Sequence, residues 1–213
     1  MIRIAVILGS TRPGRRGAVV AQWVAEVAAR HPAAVMGEAE FELVDLAEYG
    51  LPLLDEPVPA MFGQYQKEET RRWAAAIGSF DGFVFVTPEY NHSVPAALKN
   101  AIDHLFAEWT DKAAGFVSYG VHGGTRAVEH LRLALAEVKV AGVRSQVVLS
   151  VFNDFDYTGC DMTDPTAMGR FTPGPQQEQT VNTMLDEVVA WSTALKPLRT
   201  AATAEADGRA VSV

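Results

Sequence analysis

Cysteine is all but missing from this chain of 213 residues: Cys160 stands alone, so no internal disulfide can form and a reducing setting is expected. Positive charge is also scarce. Eighteen Lys and Arg face 26 Asp and Glu, for a formal net charge of -8. That balance argues against a chain living on nucleic acid or an anionic membrane, since both demand a basic footprint. No apolar run approaches the roughly 20 residues of a membrane span, and Met1 leads straight into a strand-like stretch without the regions of a secretion signal. The expectation is a cytoplasmic protein with no nucleic-acid and no membrane partner.

Several catalytic signatures are lacking too. The five histidines, His31, His92, His104, His122 and His130, show no metal-ligand spacing with acids or with Cys160. His104 and Glu108, one helical turn apart, read as a solvated surface pair. Ser10 lies outside any GxSxG elbow, which disfavours a hydrolase.

What is present is an apolar content of 48%, enough for one sizeable core. Short runs rich in Val, Ile and Phe fall at 2–8, 41–46, 82–87, 114–119 and 144–150, and read as strands. IRIAVIL and GFVFVT are nearly unbroken apolar runs, as in strands covered on both faces of a parallel sheet. Five apolar stripes at three- and four-residue spacing alternate with them: Val20, Trp23, Val24, Val27; Trp73, Ala76, Ile77, Phe80; Leu98, Ala101, Ile102, Leu105; Val128, Leu131, Leu135, Val138; and Val181, Met184, Leu185, Val188. Each marks the buried face of a helix. Repeated βαβ units imply an α/β three-layer sandwich in one domain, 1–198, followed by a small, polar tail, 199–213, expected to be disordered. Segments 47–64 and 151–174 stand outside the alternation and read as lid or interface segments.

Three loops carry the chemistry. In LGSTRPGRRG, residues 8–17, a strand passes into a helix, so backbone N–H groups and a positive helix end converge on an anion. Gly9, Gly14 and Gly17 permit the tight turns, Ser10 and Thr11 offer hydroxyls, and Arg12 offers a charge-assisted pair to a phosphate. The Walker lysine is missing, which excludes a P-loop, and Thr11 breaks the dinucleotide GxGxxG, with Asp45 the one candidate ribose acid. A glycine-rich surface turn remains the plain alternative. In TPEYNHSVPAALKNAIDHL, residues 87–105, Ser93 reads as an N-cap and Glu89, Tyr90, Asn91 and His92 as a polar loop, either a ligand platform or a solvated connection. SYGVHGGTRAVEHLR, residues 118–132, adds Gly120, Gly123 and Gly124 before a helix, again a site or a turn. In a flavodoxin-like five-stranded parallel sheet of order 2-1-3-4-5, these loops follow strands 1, 3 and 4 and meet at the crevice where the order reverses. A phosphate nest beside a flat polar platform suits a phosphorylated heterocycle.

These stretches, with EWTDKAAGFVSYG between them, resemble the NADPH-dependent FMN reductases, a flavodoxin-like group that includes quinone, azo-dye and chromate reductases, over about residues 2–150. The resemblance implies non-covalent FMN, electrons from NADPH or NADH, a small-molecule electron acceptor such as a quinone or flavin, and a homodimer or homotetramer. By motif position, Ser10, Thr11 and Arg12, with Arg16 and Gly17 at the end of the loop, hold the phosphate. Pro88, Glu89, Tyr90 and Asn91 lie along the isoalloxazine ring, and Ser118, Gly120 and Gly123 complete the contacts, flanked by Tyr119 or His122. The flavin performs the redox chemistry, so no catalytic side chain is named. Arg15 and Arg16 stand where many members carry small polar residues, and either meet an incoming nucleotide phosphate or face water. A flavodoxin-type electron carrier and a binding domain with an empty site are the competing readings.

Overall fold

The computed structural model describes residues 1–164 and 166–210. Its order is β1 (Ile2–Leu8), α1 (Gly17–Arg30), a single turn α2 (Pro32–Val35), β2 (Ala39–Asp45), α3 (Glu68–Gly78), β3 (Gly82–Pro88), α4 (Ala96–Asp103), β4 (Lys112–Gly120), α5 (Thr125–Glu137), β5 (Val140–Ser150), the two-residue strands β6 (Phe155–Asp156) and β7 (Arg170–Phe171), and α6 (Pro175–Ala210). The main sheet is parallel throughout, in the order β2-β1-β3-β4-β5. This is the flavodoxin-like arrangement expected from the sequence. Residues 199–210, expected to be a disordered tail, fall within α6, and 211–213 lie outside the described residues. Among the described residues no helix is long and apolar enough to cross a membrane.

Both faces of the sheet are covered, which is why its central strands read as continuous apolar runs. Val84 and Val86 pack under α1 and α6 with Val20, Val24, Met184 and Leu185. Phe83 and Phe85, turned the other way by the two-residue period, pack under α3, α4 and α5 with Trp73, Leu98 and Leu131. Trp109, a core residue absent from every stripe, is fully buried there. Its ring centroid lies 4.9 Å from that of Phe83 and 6.0 Å from that of Trp73, and its indole N–H donates to the Ile102 carbonyl at 3.2 Å. It comes from the irregular connection into β4, where no period announces burial.

Several local expectations are corrected. β5 starts at Val140, four residues before the expected strand, because Gly142 interrupts the apolar pattern where a Cβ would meet the Phe116 ring at 3.1 Å. Ser93 is not an N-cap: α4 begins behind Pro95, while the Ser93 hydroxyl lies 3.0 Å from His130 Nδ1. His104 and Glu108 are not a solvated pair. His104 is buried with Nδ1 2.8 Å from the Asn100 carbonyl, and Glu108 accepts from the Tyr65 hydroxyl at 2.8 Å.

At the amino ends of β3 and β4, Lys112 Nζ donates to the last carbonyls of α3, Ile77 at 2.8 Å and Gly78 at 3.4 Å. Burial, with help from the Arg199 charge, pulls its pKa down to about 7. An unfolded lysine keeps its proton to about pH 10. The buried amine therefore carries its full desolvation penalty below pH 7, and stability should rise as pH climbs from about 7 to 10. Urea unfolding over that window should show the rise in the native chain and its loss in Lys112→Met; parallel profiles would refute the assignment.

Candidate functional site

Register brings the three loops together. Leu8 lies opposite Val86, and Pro88 opposite Tyr119, so β1, β3 and β4 end on one edge of the sheet. The loop after β1 hugs that edge: Gly9 N–H donates to the Val86 carbonyl at 2.9 Å, and a Cβ on Gly9 would strike Leu98 at 2.8 Å. α1 then begins at Gly17. Its N-cap residue, Arg16, makes no side-chain cap, and its first turn holds no acid, so the positive helix end is not offset locally. Gly17 is required by shape, since a Cβ there would come within 2.5 Å of Tyr119 Oη and 2.7 Å of Ser10 Oγ. Ser10 and Tyr119 share a buried hydrogen bond of 3.2 Å. Burial pushes the Tyr119 pKa up to about 12, so this hydroxyl keeps its proton at neutral pH.

Arg12, Arg15 and Arg16 line a cleft of about 210 Å³ together with Pro88, Glu89, Tyr90, Tyr119, Gly120, Val121 and Val151. Ligand pockets usually measure about 300–1,000 Å³, so this cleft is small for a whole cofactor-sized ligand. The two arginines expected to meet a nucleotide phosphate or water are each held by protein partners as well. Arg15 is ion-paired with Asp45, whose other oxygen accepts from Ala47 N–H at 3.0 Å, so the candidate ribose acid is engaged within the protein. Arg16 donates to the Met168 and Ala167 carbonyls and to the Tyr157 hydroxyl.

After β3 the chain makes a tight turn closed by reciprocal backbone bonds between Tyr90 and Ser93. Its central residues, Asn91 and His92, both take left-handed backbone, at φ 49° and 68°. That geometry is tolerated best by Asn, Asp, His and Gly. Behind the turn, the 9%-exposed Glu89 carboxylate meets Arg126 Nη2 at 2.5 Å, while its Oε2 is buried without a hydrogen-bond partner among the described residues. Arg126 Nη1 lies 2.8 Å from His92 Nε2. Sequence reasoning passed over Arg126, although an arginine in the first turn of a helix carries the wrong charge for the dipole, which is a signal that something else holds it there.

After β4, Ser118 and Gly123 build the turn rather than the cleft wall. The buried Ser118 hydroxyl donates to the Gly123 carbonyl at 2.7 Å, and Gly123 and Gly124 adopt φ 73° and 72°. Thr11, Asn91 and His122 are likewise not among the residues lining the cleft, and Ser10 and Gly17 stand behind its wall through Tyr119. Elsewhere, a hollow of about 390 Å³ at the amino ends of β3 and β4 holds charges already paired: Asp81 with Lys196 and Arg199, and Lys112 with the end of α3.

Comparison with known proteins agrees with this fold. A model of the family described as NADPH-dependent FMN reductase matches residues 2–154. The chain is 41% identical over 156 residues to the NAD(P)H-dependent FMN reductase ntnL of a Nectria species, covering 71% of this chain and 76% of the relative. It is 36% identical over 140 residues to a quinone reductase of Escherichia coli K12, covering 63% and 69%. Among solved structures, the flavoenzyme NAD(P)H:(acceptor) oxidoreductase FerB of Paracoccus denitrificans superposes with a TM-score of 0.64 over 92% of this chain and 99% of its own, at 22% identity, which speaks to the fold.

Proposed function

The chain belongs to the NADPH-dependent FMN reductase family and is an FMN-binding, NAD(P)H-dependent oxidoreductase acting on quinone- or flavin-type acceptors, and we propose that its work is done in the cleft at the carboxyl ends of β1, β3 and β4. One observation carries that placement: the uncapped amino end of α1, free of acids in its first turn, opens beside Arg12 where the strand order reverses. Such an end binds phosphate. The residues fit FMN in two further respects. The absence of a Cβ at Gly17 lets the start of α1 sit against Ser10 and Tyr119 at the cleft, and the buried Glu89 Oε2 lacks a partner among the described residues.

Bound there, FMN supplies hydride acceptance from the nicotinamide and delivery to the acceptor. The protein holds and orients. Arg12 and the first amides of α1 take the phosphate, with Ser10 fixed from behind by the protonated Tyr119 hydroxyl. Pro88, Glu89 and Tyr90 present the ring platform, and the Glu89–Arg126 pair keeps that turn in place. Val121 and Val151 shield one side from water.

Anaerobic addition of NADPH or NADH to the FMN-loaded protein should bleach the flavin spectrum, and a quinone should restore it without any partner protein. Bleaching that needs a second protein would point to an electron carrier. Arg12→Ala should weaken FMN binding by roughly ten- to a hundredfold, the worth of one charged hydrogen bond, read by fluorescence quenching; an unchanged Kd removes Arg12 from the site.

The protein is further taken to act in the cytoplasm as a homodimer or homotetramer. Leu53, Met61 and Phe62 of segment 47–64 stand well exposed, and Met61 borders a hollow shared with α4 and α5. Sedimentation equilibrium should give a dimer or tetramer; a monomer contradicts it.

A further inference from the structure

The family match ends at residue 154, yet the Arg16 side chain in the anion loop is held by residues beyond that limit. Its Nε donates to the Met168 carbonyl at 3.0 Å, and its Nη2 donates to the Ala167 carbonyl at 2.9 Å and to Tyr157 Oη at 3.1 Å. The guanidinium also lies 5.7 Å from the Phe155 ring centroid and 5.8 Å from that of Tyr157. Tyr157, Ala167 and Met168 belong to the excursion that leaves β6 and returns to β7, and Phe155 stands in β6 at its base. The excursion is anchored at its base, where β6 and β7 pair antiparallel through Phe155 and Phe171. Phe171 meets Trp23 of α1 edge-on at 5.5 Å, and Thr172 N–H donates to the Asp154 carbonyl at 2.9 Å.

Arg16 is therefore the joint between two parts. It is the N-cap residue of α1, next to Gly17, and it lines the cleft. In the loop in front of it, Arg15 is paired with Asp45, while Gly14 sits at φ 64° in open space, with no heavy atom within 4 Å of where a Cβ would stand. Amides held in a fixed arrangement keep a bound phosphate longer than amides free to move apart. We propose that Arg16 is a positioning residue that ties the β6–β7 excursion to the amino end of α1, and that this tie makes FMN a retained prosthetic group rather than an exchanging substrate. The inference rests on the functional reading above.

The alternative is that Arg16 acts only through its charge on the phosphate. Three variants separate the two. Arg16→Lys keeps the charge but loses the planar fork that reaches two carbonyls and a hydroxyl at once. Under the proposal, Arg16→Ala and Arg16→Lys both speed FMN release about tenfold, the equivalent of one lost charged hydrogen bond. Tyr157→Phe, which alters no charge, should speed it by a few-fold, and should add nothing in the Arg16→Ala background, because both act through one contact. Release is measured by stopped-flow recovery of flavin fluorescence when the FMN-loaded protein is diluted far below its Kd.

A second readout needs no flavin. Limited proteolysis of the apo-protein should cut between residues 158 and 168 faster in Arg16→Ala and Arg16→Lys than in the native chain. Near-native release from Arg16→Lys, or an additive effect of Tyr157→Phe in the Arg16→Ala background, overturns the tie. Unchanged proteolysis in both Arg16 variants overturns it independently. Failure of the native protein to bind FMN at all strikes the functional reading instead, while the proteolysis comparison still reports on the joint.

Discussion

Gly17→Val should leave a folded but colourless protein, with FMN affinity reduced by more than a hundredfold and stability lowered by about 1–3 kcal/mol, the usual range for overpacking. The reason is local and steric. Already the first added carbon would stand 2.5 Å from Tyr119 Oη, 2.7 Å from Leu8 Cδ1 and 2.7 Å from Ser10 Oγ. Tyr119 is a buried side chain at the end of β4 whose hydroxyl is hydrogen-bonded to Ser10, so turning it aside breaks that bond. The strain is relieved most cheaply by moving the start of α1, which displaces the amides that face the phosphate. Gly14→Ala is the control: its positive φ makes alanine costly by roughly 1 kcal/mol, but open space surrounds it. Flavin absorbance of the purified proteins and urea unfolding decide the comparison. Yellow Gly17→Val protein with native Kd would show that α1 does not bind the phosphate.

Arg126→Ala should cost about 2–3 kcal/mol, below the roughly 3–5 kcal/mol penalty for stranding one member of a fully buried ion pair. The pair is unequally buried. Glu89 is 9% exposed and cannot hydrate, whereas Arg126 is 37% exposed and loses less. The penalty therefore falls on the carboxylate, and Glu89→Gln in the Arg126→Ala background should recover at least half of it. FMN affinity should fall in the single variant, because the turn through Asn91 and His92 loses the strut that holds its left-handed backbone. A double-mutant cycle by urea unfolding measures the coupling; a coupling under about 0.5 kcal/mol would mean the pair acts as an ordinary surface contact.

How far the site was legible depended on whether the signal was local. The loop at 8–17 announced itself because a strand, a glycine turn and a helix start are consecutive, and Arg12, Arg16, Pro88, Glu89, Tyr90, Tyr119 and Gly120 do line one cleft. Ser118 and Gly123 belong to the same loops and are hydrogen-bonded to each other, a pairing that depends on backbone dihedrals that spacing does not encode. Arg126 and Glu89 are partners across two βα loops, and Arg15 and Asp45 across two neighbouring strands. Nothing in either short stretch names the other member. His104 shows the converse, a polar residue that local pattern puts in water and packing puts in the core.

By itself, the sequence determined the layer order, the two-sided sheet and the three loops at its carboxyl edge. Those follow from periods of two and 3.6 residues and from glycine and proline placement, which act over a few bonds. All three arginines line the cleft, but tertiary structure alone decided which of them is paired with Asp45 and which is tied to the excursion between β6 and β7. Three arginines within five residues are nearly equivalent in the unfolded chain. They become different only when strand register and the return of a segment some 150 residues away set what lies within hydrogen-bonding distance of each guanidinium.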